Sequence, residues 1–177
     1  MDDSYRPPYS LKPAILRFAA EIGEWIGRYS VAADASLSPR LRRENRIRTI
    51  HASLAIENNT LTLEQVTAVL DGKRVLGLPR EIQEVRNAFA AYEHIDRWVP
   101  SSRDDLLEAH GILMAGLVDR PGEYRRGGVG VFHGDRVVHM APRAERVPAL
   151  MEDLLTWLDR TDEHPLVASC VFHYEFE

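Results

Sequence analysis

The stretch EIQEVRNAFAAYEHIDRWV, Glu81–Val99, decides the fold class. Its apolar residues recur at spacings of three and four, which is the period of an amphipathic helix and not of a strand. The following Pro100 sets the end of the pattern, because proline cannot continue a helix. We therefore predict one long helix up to Pro100, with an apolar face made of Ile82, Val85, Phe89, Tyr92, Ile95 and Val99.

The same period continues on both sides of this stretch. Before it we predict a helix after a Pro-rich N-terminal tail, a second helix from Ser38-Pro39 to about Asn58, and a short third helix. After it we predict a helix capped by Ser102 with helical pattern to Val118, one spanning Val147 to Leu158, and one opened by Asp162. The short third helix begins with a capping box, Thr62 and Gln65, and ends at Gly72.

The period changes only in VGVFHGDRVVHM, residues 129–140. Two short β-branched runs flank Gly134-Asp135, a two-residue loop whose leading glycine suits a type II′ hairpin turn. The predicted fold class is thus all-α, mainly helical, with one β-hairpin. The hairpin is either a decorated connection between helices or an exposed edge on which an extended peptide adds as a strand, and spacing does not decide between these.

Length and composition favour a single cytoplasmic domain. The chain has 177 residues, a net charge of −5 and one cysteine, Cys170, so no intrachain disulfide can form. No apolar run is long enough to span a membrane and no signal pattern is present, so we expect no membrane partner. We divide the chain into residues 1–38, a tail and helix, and residues 39–177.

Glu57, in HASLAIENNTLT (residues 51–62), is the most unusual residue of the helical pattern. A carboxylate in the last turn of a helix faces the negative end of the macrodipole. Continued helical geometry would place it close to the direction of Ile50, so we expect it to point inward. By itself this fits either a structural cap or ion pair, or a carboxylate held for a positive partner.

Two other groups of side chains have simpler explanations. The arginines at positions 40, 42, 43, 46 and 48 are expected on the solvent face of the second helix, because the protein is acidic overall. Nucleic acid is therefore an unlikely partner. Cys170 and His173 share a helical face but lack a second ligand pair, so we predict core or second-layer positions and no metal site.

Three segments resemble the Fic family. SLAIENNTLT is similar to the inhibitory-helix motif (Ser/Thr)-x-x-x-Glu-(Gly/Asn) through Ser53, Glu57 and Asn58. Residues 121–158 look like the flap region and the helix behind it, and residues 164–177 resemble the helix that leads into the signature His-Pro-Phe-x-(Asp/Glu)-Gly-Asn-Gly-Arg-x-x-Arg. The signature is absent, and His164-Pro165-Leu166 does not replace it. We therefore expect a Fic-like helical bundle that is incomplete at its C-terminus.

The resemblance implies AMP transfer from ATP, with Mg²⁺, to a hydroxyl side chain of a target protein. The expected role of the chain is regulation and target docking, with no catalytic residue of its own and no activity alone. Ser53, Glu57 and Asn58 would be regulatory, and Glu57, next to the nucleotide, would pair with an arginine of the signature. The flap that docks the target segment would comprise Val129, Gly130, Val131, Phe132, His133, Val137, Val138 and His139.

Two other functions compete with this one. The chain could be a non-enzymatic helical module that inhibits a separate Fic partner in trans, although such an inhibitor would not need the flap. It could also be a DNA-binding protein that uses the arginine cluster, which would show strongly salt-dependent binding. A homodimer is a further expected assembly.

Overall fold

The computed structural model describes residues 5–33, 39–134 and 136–176, with the backbone alone for 31–33, 39, 131, 132 and 136. Within these residues it contains seven α-helices, two short 3₁₀ turns and one two-stranded antiparallel hairpin, which confirms the predicted fold class. The elements in chain order are α1 Pro13–Ala33, α2 Pro39–Ile56, α3 Leu63–Leu70, α4 Pro79–His94, α5 Arg103–Leu113, β1 Gly130–His133, β2 Arg136–Met140, α6 Val147–Arg160 and α7 Pro165–Phe176, with 3₁₀ turns at Ile95–Arg97 and Ala144–Arg146.

The residues form two compact units that are interleaved along the chain. One unit consists of residues 20–98 and 108–122, and the other of residues 1–19, 99–107 and 123–177. None of the four places where the chain passes from one unit to the other coincides with the predicted division between residues 38 and 39. The expectation of a single domain stays a prediction.

The first unit is built where α2, α3 and α4 pack together. Its core contains Ile47, Leu61, Val66, Val69 and Val85, and Ile50 is completely buried. The predicted capping box of α3 is present, because the Thr62 hydroxyl accepts the Gln65 amide while the Gln65 side chain accepts the Thr62 amide. Pro39 is the first residue of α2 as expected, whereas the predicted cap Ser38 lies outside the described residues.

Helix α4 differs from its prediction in length and in the face that it buries. It ends at His94, and one 3₁₀ turn precedes Trp98. The Trp98 ring stacks on the His94 ring, with 6.1 Å between the ring centroids. The buried face is formed by Val85 together with two small residues, Ala88 and Ala91. Ile95 and Val99, predicted on the apolar face, are more than half exposed, because the chain leaves helical geometry before it reaches them.

Helix α5 is shorter than the sequence pattern suggests. It ends at Leu113, so the predicted continuation to Val118 is wrong. The physical reason is a cap supplied by another helix: the Asn87 amide donates to the carbonyl oxygens of Leu113 at 2.9 Å and Ala115 at 2.8 Å. The chain then turns through Gly116, at φ 71°, a conformation that favours glycine.

The second unit is organised around α6 and α7. Leu154, Trp157 and Ala168 form its buried centre, and Tyr9 packs edge-on against Trp157. The Tyr5 hydroxyl donates to Glu175 at 2.6 Å, and burial together with this carboxylate raises the pKa of Tyr5 to about 12.

Helix α7 buries less of its apolar pattern than the sequence predicts. Val167 and Ala168 are buried, but Cys170 and His173 are exposed, so the expectation that these two lie in the core or just behind it is wrong. Tyr174 is 79% exposed. The other faces of α7 are exposed because, among the described residues of the second unit, α7 packs mainly against α6.

Helix α1 has a clear apolar stripe, yet the stripe is exposed. Trp25 is 68% exposed, and Phe18, Ile22, Ile26 and Tyr29 are each more than 40% exposed. No helix among the described residues has both the length and the apolar character needed to cross a bilayer.

Candidate regulatory turn and docking hairpin

The motif that contains Glu57 lies at the end of α2. The helix stops at Ile56, and Glu57 and Asn58 form a turn in which their amides donate to Leu54 and Ala55. Asn58 has φ 65°, the left-handed conformation that glycine and asparagine tolerate best. This backbone explains why a motif of the form Glu-(Gly/Asn) suits the position, since the residue after the glutamate must turn the chain out of the helix.

The Glu57 side chain is exposed, so the expectation that it points inward is wrong. That expectation assumed that the helical rotation of about 100° per residue continues from Ile50 through Glu57. The Glu57 amide instead donates to the residue three before it, Leu54, and this tighter turn ends the rotation. Ser53 and Asn58 are exposed as well. Within the described part of the chain the Glu57 carboxylate has no hydrogen-bond or ion-pair partner.

The residues directly after Glu57 are fixed in place. Asn59 is buried, and its Nδ2 donates to the Glu81 carbonyl at 3.2 Å and to Glu84 Oε2 at 2.9 Å, while its Oδ1 accepts the Leu61 amide. Glu81, 7% exposed in the first turn of α4, accepts both the amide and the hydroxyl of Thr60 through Oε1. The turn is therefore tied to α4 on one side and to the end of α2 on the other.

These bonds also affect the pKa of the Glu81 carboxyl group. The Thr60 amide and then the Thr60 hydroxyl lower the pKa of the carboxyl, and they outweigh the desolvation that opposes them. No local sequence pattern indicates this contact, because Thr60 and Glu81 are 21 residues apart. The only local signal was an acid in the first turn of α4, which the helix dipole favours.

The predicted hairpin is present with its two-residue loop. His133 pairs with Arg136 across the loop, and Gly134 has φ 59°, as the first position of either primed turn type requires. Asp135, the second loop residue, lies outside the described residues. The pairing shifts between Val131 and Phe132, because Val131 faces His139 and Phe132 faces Val137, which leaves Val138 as the extra residue of a bulge.

The strand side chains of the hairpin that the structure describes are open to solvent. His133 and His139 are exposed, Val129, Val138 and Met140 are each more than half exposed, and Val137 is 46% exposed. Gly130 is half-buried, and the side chains of Val131 and Phe132 lie outside those described. The flap positions therefore do come together on one two-stranded ribbon, which pairs with no further strand among the described residues.

Arg125 joins the two ends of the hairpin. Its guanidinium donates to the carbonyl of Gly127 at 2.9 Å, before β1, and to the carbonyl of Pro142, after β2. The Ala141 amide adds a bond to the Val129 carbonyl at 3.0 Å. Sequence reasoning missed this role because two adjacent arginines are indistinguishable by pattern. Arg126 pairs with Glu123 and makes no bond to the hairpin among the described residues.

Three of the five clustered arginines of α2 form ion pairs with acidic residues of the same unit. Arg40 pairs with Glu44 at 2.8 Å, Arg43 with Asp71 at 2.9 Å, and Arg46 with Glu93. These pairs account for three members of the cluster through contacts within the protein. Among the described residues no group of three or more His, Cys, Asp or Glu side chains is arranged to hold a metal ion.

Comparisons with known proteins identify relatives of this chain. Residues 100–177 match the model of the Fic/DOC family. The chain is also similar to a Fic family protein from Desulfovibrio desulfuricans G20 of known crystal structure, with 71% sequence identity and a TM-score of 0.90. The match covers 97% of this chain and 53% of that one, so the chain spans about half the length of this relative.

Proposed function

The chain belongs to the Fic/DOC family, and from this membership we propose that it is the N-terminal regulatory and target-docking portion of a protein adenylyltransferase. In such an enzyme the hydroxyl oxygen of the target forms a bond to the α-phosphorus of ATP. The bond to pyrophosphate breaks, and the hydroxyl proton passes to a histidine of the family signature. That histidine is not among these 177 residues.

The observation that supports the regulatory part of the proposal is the exposure of the Glu57 carboxylate. Its carboxylate is exposed and has no partner within the described residues, at the end of a turn that is otherwise well anchored. An acid in this state is free to accept an arginine from elsewhere in a longer Fic protein. Such a pair would take the arginine away from the γ-phosphate and so hold the enzyme inactive.

The hairpin supplies the docking part of the proposal. A two-stranded ribbon has unpaired main-chain groups on its outer edges, and an extended target segment can add to such an edge through main-chain hydrogen bonds. The exposed side chains of the ribbon would then contribute to the choice of target. ATP and Mg²⁺ follow from the proposed reaction.

The decisive experiment removes the Glu57 carboxylate in a version of the protein extended through the Fic signature. Glu57→Gly and Glu57→Gln should both raise incorporation of labelled AMP, by roughly 5- to 150-fold if the effect has the size usual for coupled sites. Glu64→Gln is the matched control, because Glu64 is an exposed acid in the first turn of α3. Equal incorporation by all variants and the unmodified protein would refute autoinhibition by Glu57.

A further inference from the structure

Glu81 is a buried acid that the proposed function does not use. It is 7% exposed, and a carboxylate in such a position is retained only when its charge is well compensated. No cation makes an ion pair with it among the described residues. Its charge is met instead by donors of the chain itself, the Thr60 amide at 2.8 Å and the Thr60 hydroxyl at 2.9 Å.

These donors belong to the segment that follows Glu57. Asn59, between Glu57 and Thr60, donates its own amide to Leu54 in the last turns of α2 and its side chain to the Glu81 carbonyl of α4. The two residues of the exposed turn, Glu57 and Asn58, thus lie between the end of α2 and a segment, Asn59 and Thr60, that is hydrogen-bonded to α4. The backbone at Glu57 is therefore held in place, while its exposed side chain keeps its rotamer freedom.

We propose that Glu81 is a positioning residue for Glu57: by binding Thr60 it holds the turn at the end of α2, and thereby the position of the backbone that carries the regulatory carboxylate. The regulatory meaning of this role rests on the function proposed above, while the positioning itself does not. Hydrogen bonds to an ionised acceptor are about twice as strong as neutral ones, so an acid serves better here than an amide.

Residue-resolved amide hydrogen exchange of the 177-residue chain tests the positioning. In Glu81→Ala, the amides of Glu57 and Asn59 should exchange about tenfold faster or more relative to the core amides of α3, although neither amide bonds to Glu81 directly. Glu81→Gln should restore part of the protection. Glu64→Ala, which removes an exposed acid nearby, should leave these two amides unchanged.

A second variant covers the case in which Glu81→Ala does not fold. Thr60→Val removes the hydroxyl donor but keeps the amide bond to Glu81, so it should accelerate the same two amides by a smaller factor. If both amides exchange at the same rate in every folded variant as in Glu64→Ala, Glu81 does not position the turn and the inference is wrong.

Activity measurements separate this inference from the proposed function. In the extended protein, Glu81→Ala should raise AMP incorporation by itself and add nothing in a Glu57→Gly background. Faster exchange together with no activation by Glu57→Gly would uphold the positioning and overturn autoinhibition. Activation by Glu57→Gly together with unchanged exchange in Glu81→Ala would overturn the positioning alone.

Discussion

The candidate regulatory turn and the candidate docking hairpin are held in opposite ways. The turn, Glu57 and Asn58, is exposed but leads directly into a buried network in which Asn59 and Glu81 are each 9% exposed or less. The hairpin, residues 129–141, is closed by its own ladder and by Arg125, and those of its strand side chains that are described are exposed. An isolated two-stranded hairpin is only marginally stable, so its order depends on these few bonds. A fixed turn suits an inhibitory contact of defined geometry, and an open ribbon suits target segments of differing sequence.

The largest expected effect is a difference between the two regions in how much a truncated side chain lowers the free energy of unfolding. Ile50→Ala should lower the free energy of unfolding by about 2–5 kcal/mol, because Ile50 is fully buried in the helix that carries the turn. Val138→Ala, a truncation of a residue that is 62% exposed in the hairpin, should change it by about 0.5 kcal/mol or less. Denaturant unfolding followed by circular dichroism measures both. Similar losses for the two variants would show that the hairpin is packed against the protein.

A smaller effect is expected at the turn itself. Asn58→Ala should cost about 1 kcal/mol, because alanine tolerates φ 65° less well than asparagine does. Asn58→Gly should keep the stability within about 0.5 kcal/mol, since glycine adopts this conformation freely. Thermal unfolding of the three proteins provides the values. An alanine variant as stable as the unmodified chain would contradict the left-handed backbone at this position.

The smallest effect on global stability is expected at the base of the hairpin. Arg125→Gln should leave the unfolding free energy within about 0.5 kcal/mol of its original value but accelerate amide exchange throughout β1 and β2, because the bonds to Gly127 and Pro142 are lost. Arg126→Gln is the adjacent control, since Arg126 bonds to Glu123 and to no described residue of the hairpin. Equal protection of the strands in both variants would show that the ladder alone holds the hairpin.

Local signals predicted most of the helices and the hairpin. The capping box of α3, Pro39 at the start of α2 and the two-residue loop after His133 were predicted from a few neighbouring residues, because the bonds that define them are short in sequence. The C-terminal ends of the helices were predicted less well. Helix α5 stops at Leu113 because Asn87, 26 residues earlier, caps it, and no local pattern contains that information.

The candidate site shows the same division. Ser53, Glu57 and Asn58 were recognised as a motif, and the left-handed turn at Asn58 agrees with the residue types that the motif allows. The direction of Glu57 was predicted wrongly, because helical rotation was assumed to continue beyond Ile56. The contacts of Glu81 with Thr60 and of Arg125 with Pro142 could not be predicted, since each joins residues that are close only after folding.

The sequence by itself determined which segments become helices, where the ribbon turns and to which family the motifs point. Tertiary structure alone decided what is buried: α1 has six large apolar side chains more than 40% exposed among those described, whereas the strongly charged α2 contributes fully buried Ile50. The physical reason is that backbone hydrogen bonds and turn preferences act over a few residues, while burial requires a partner surface that the chain has to bring from elsewhere.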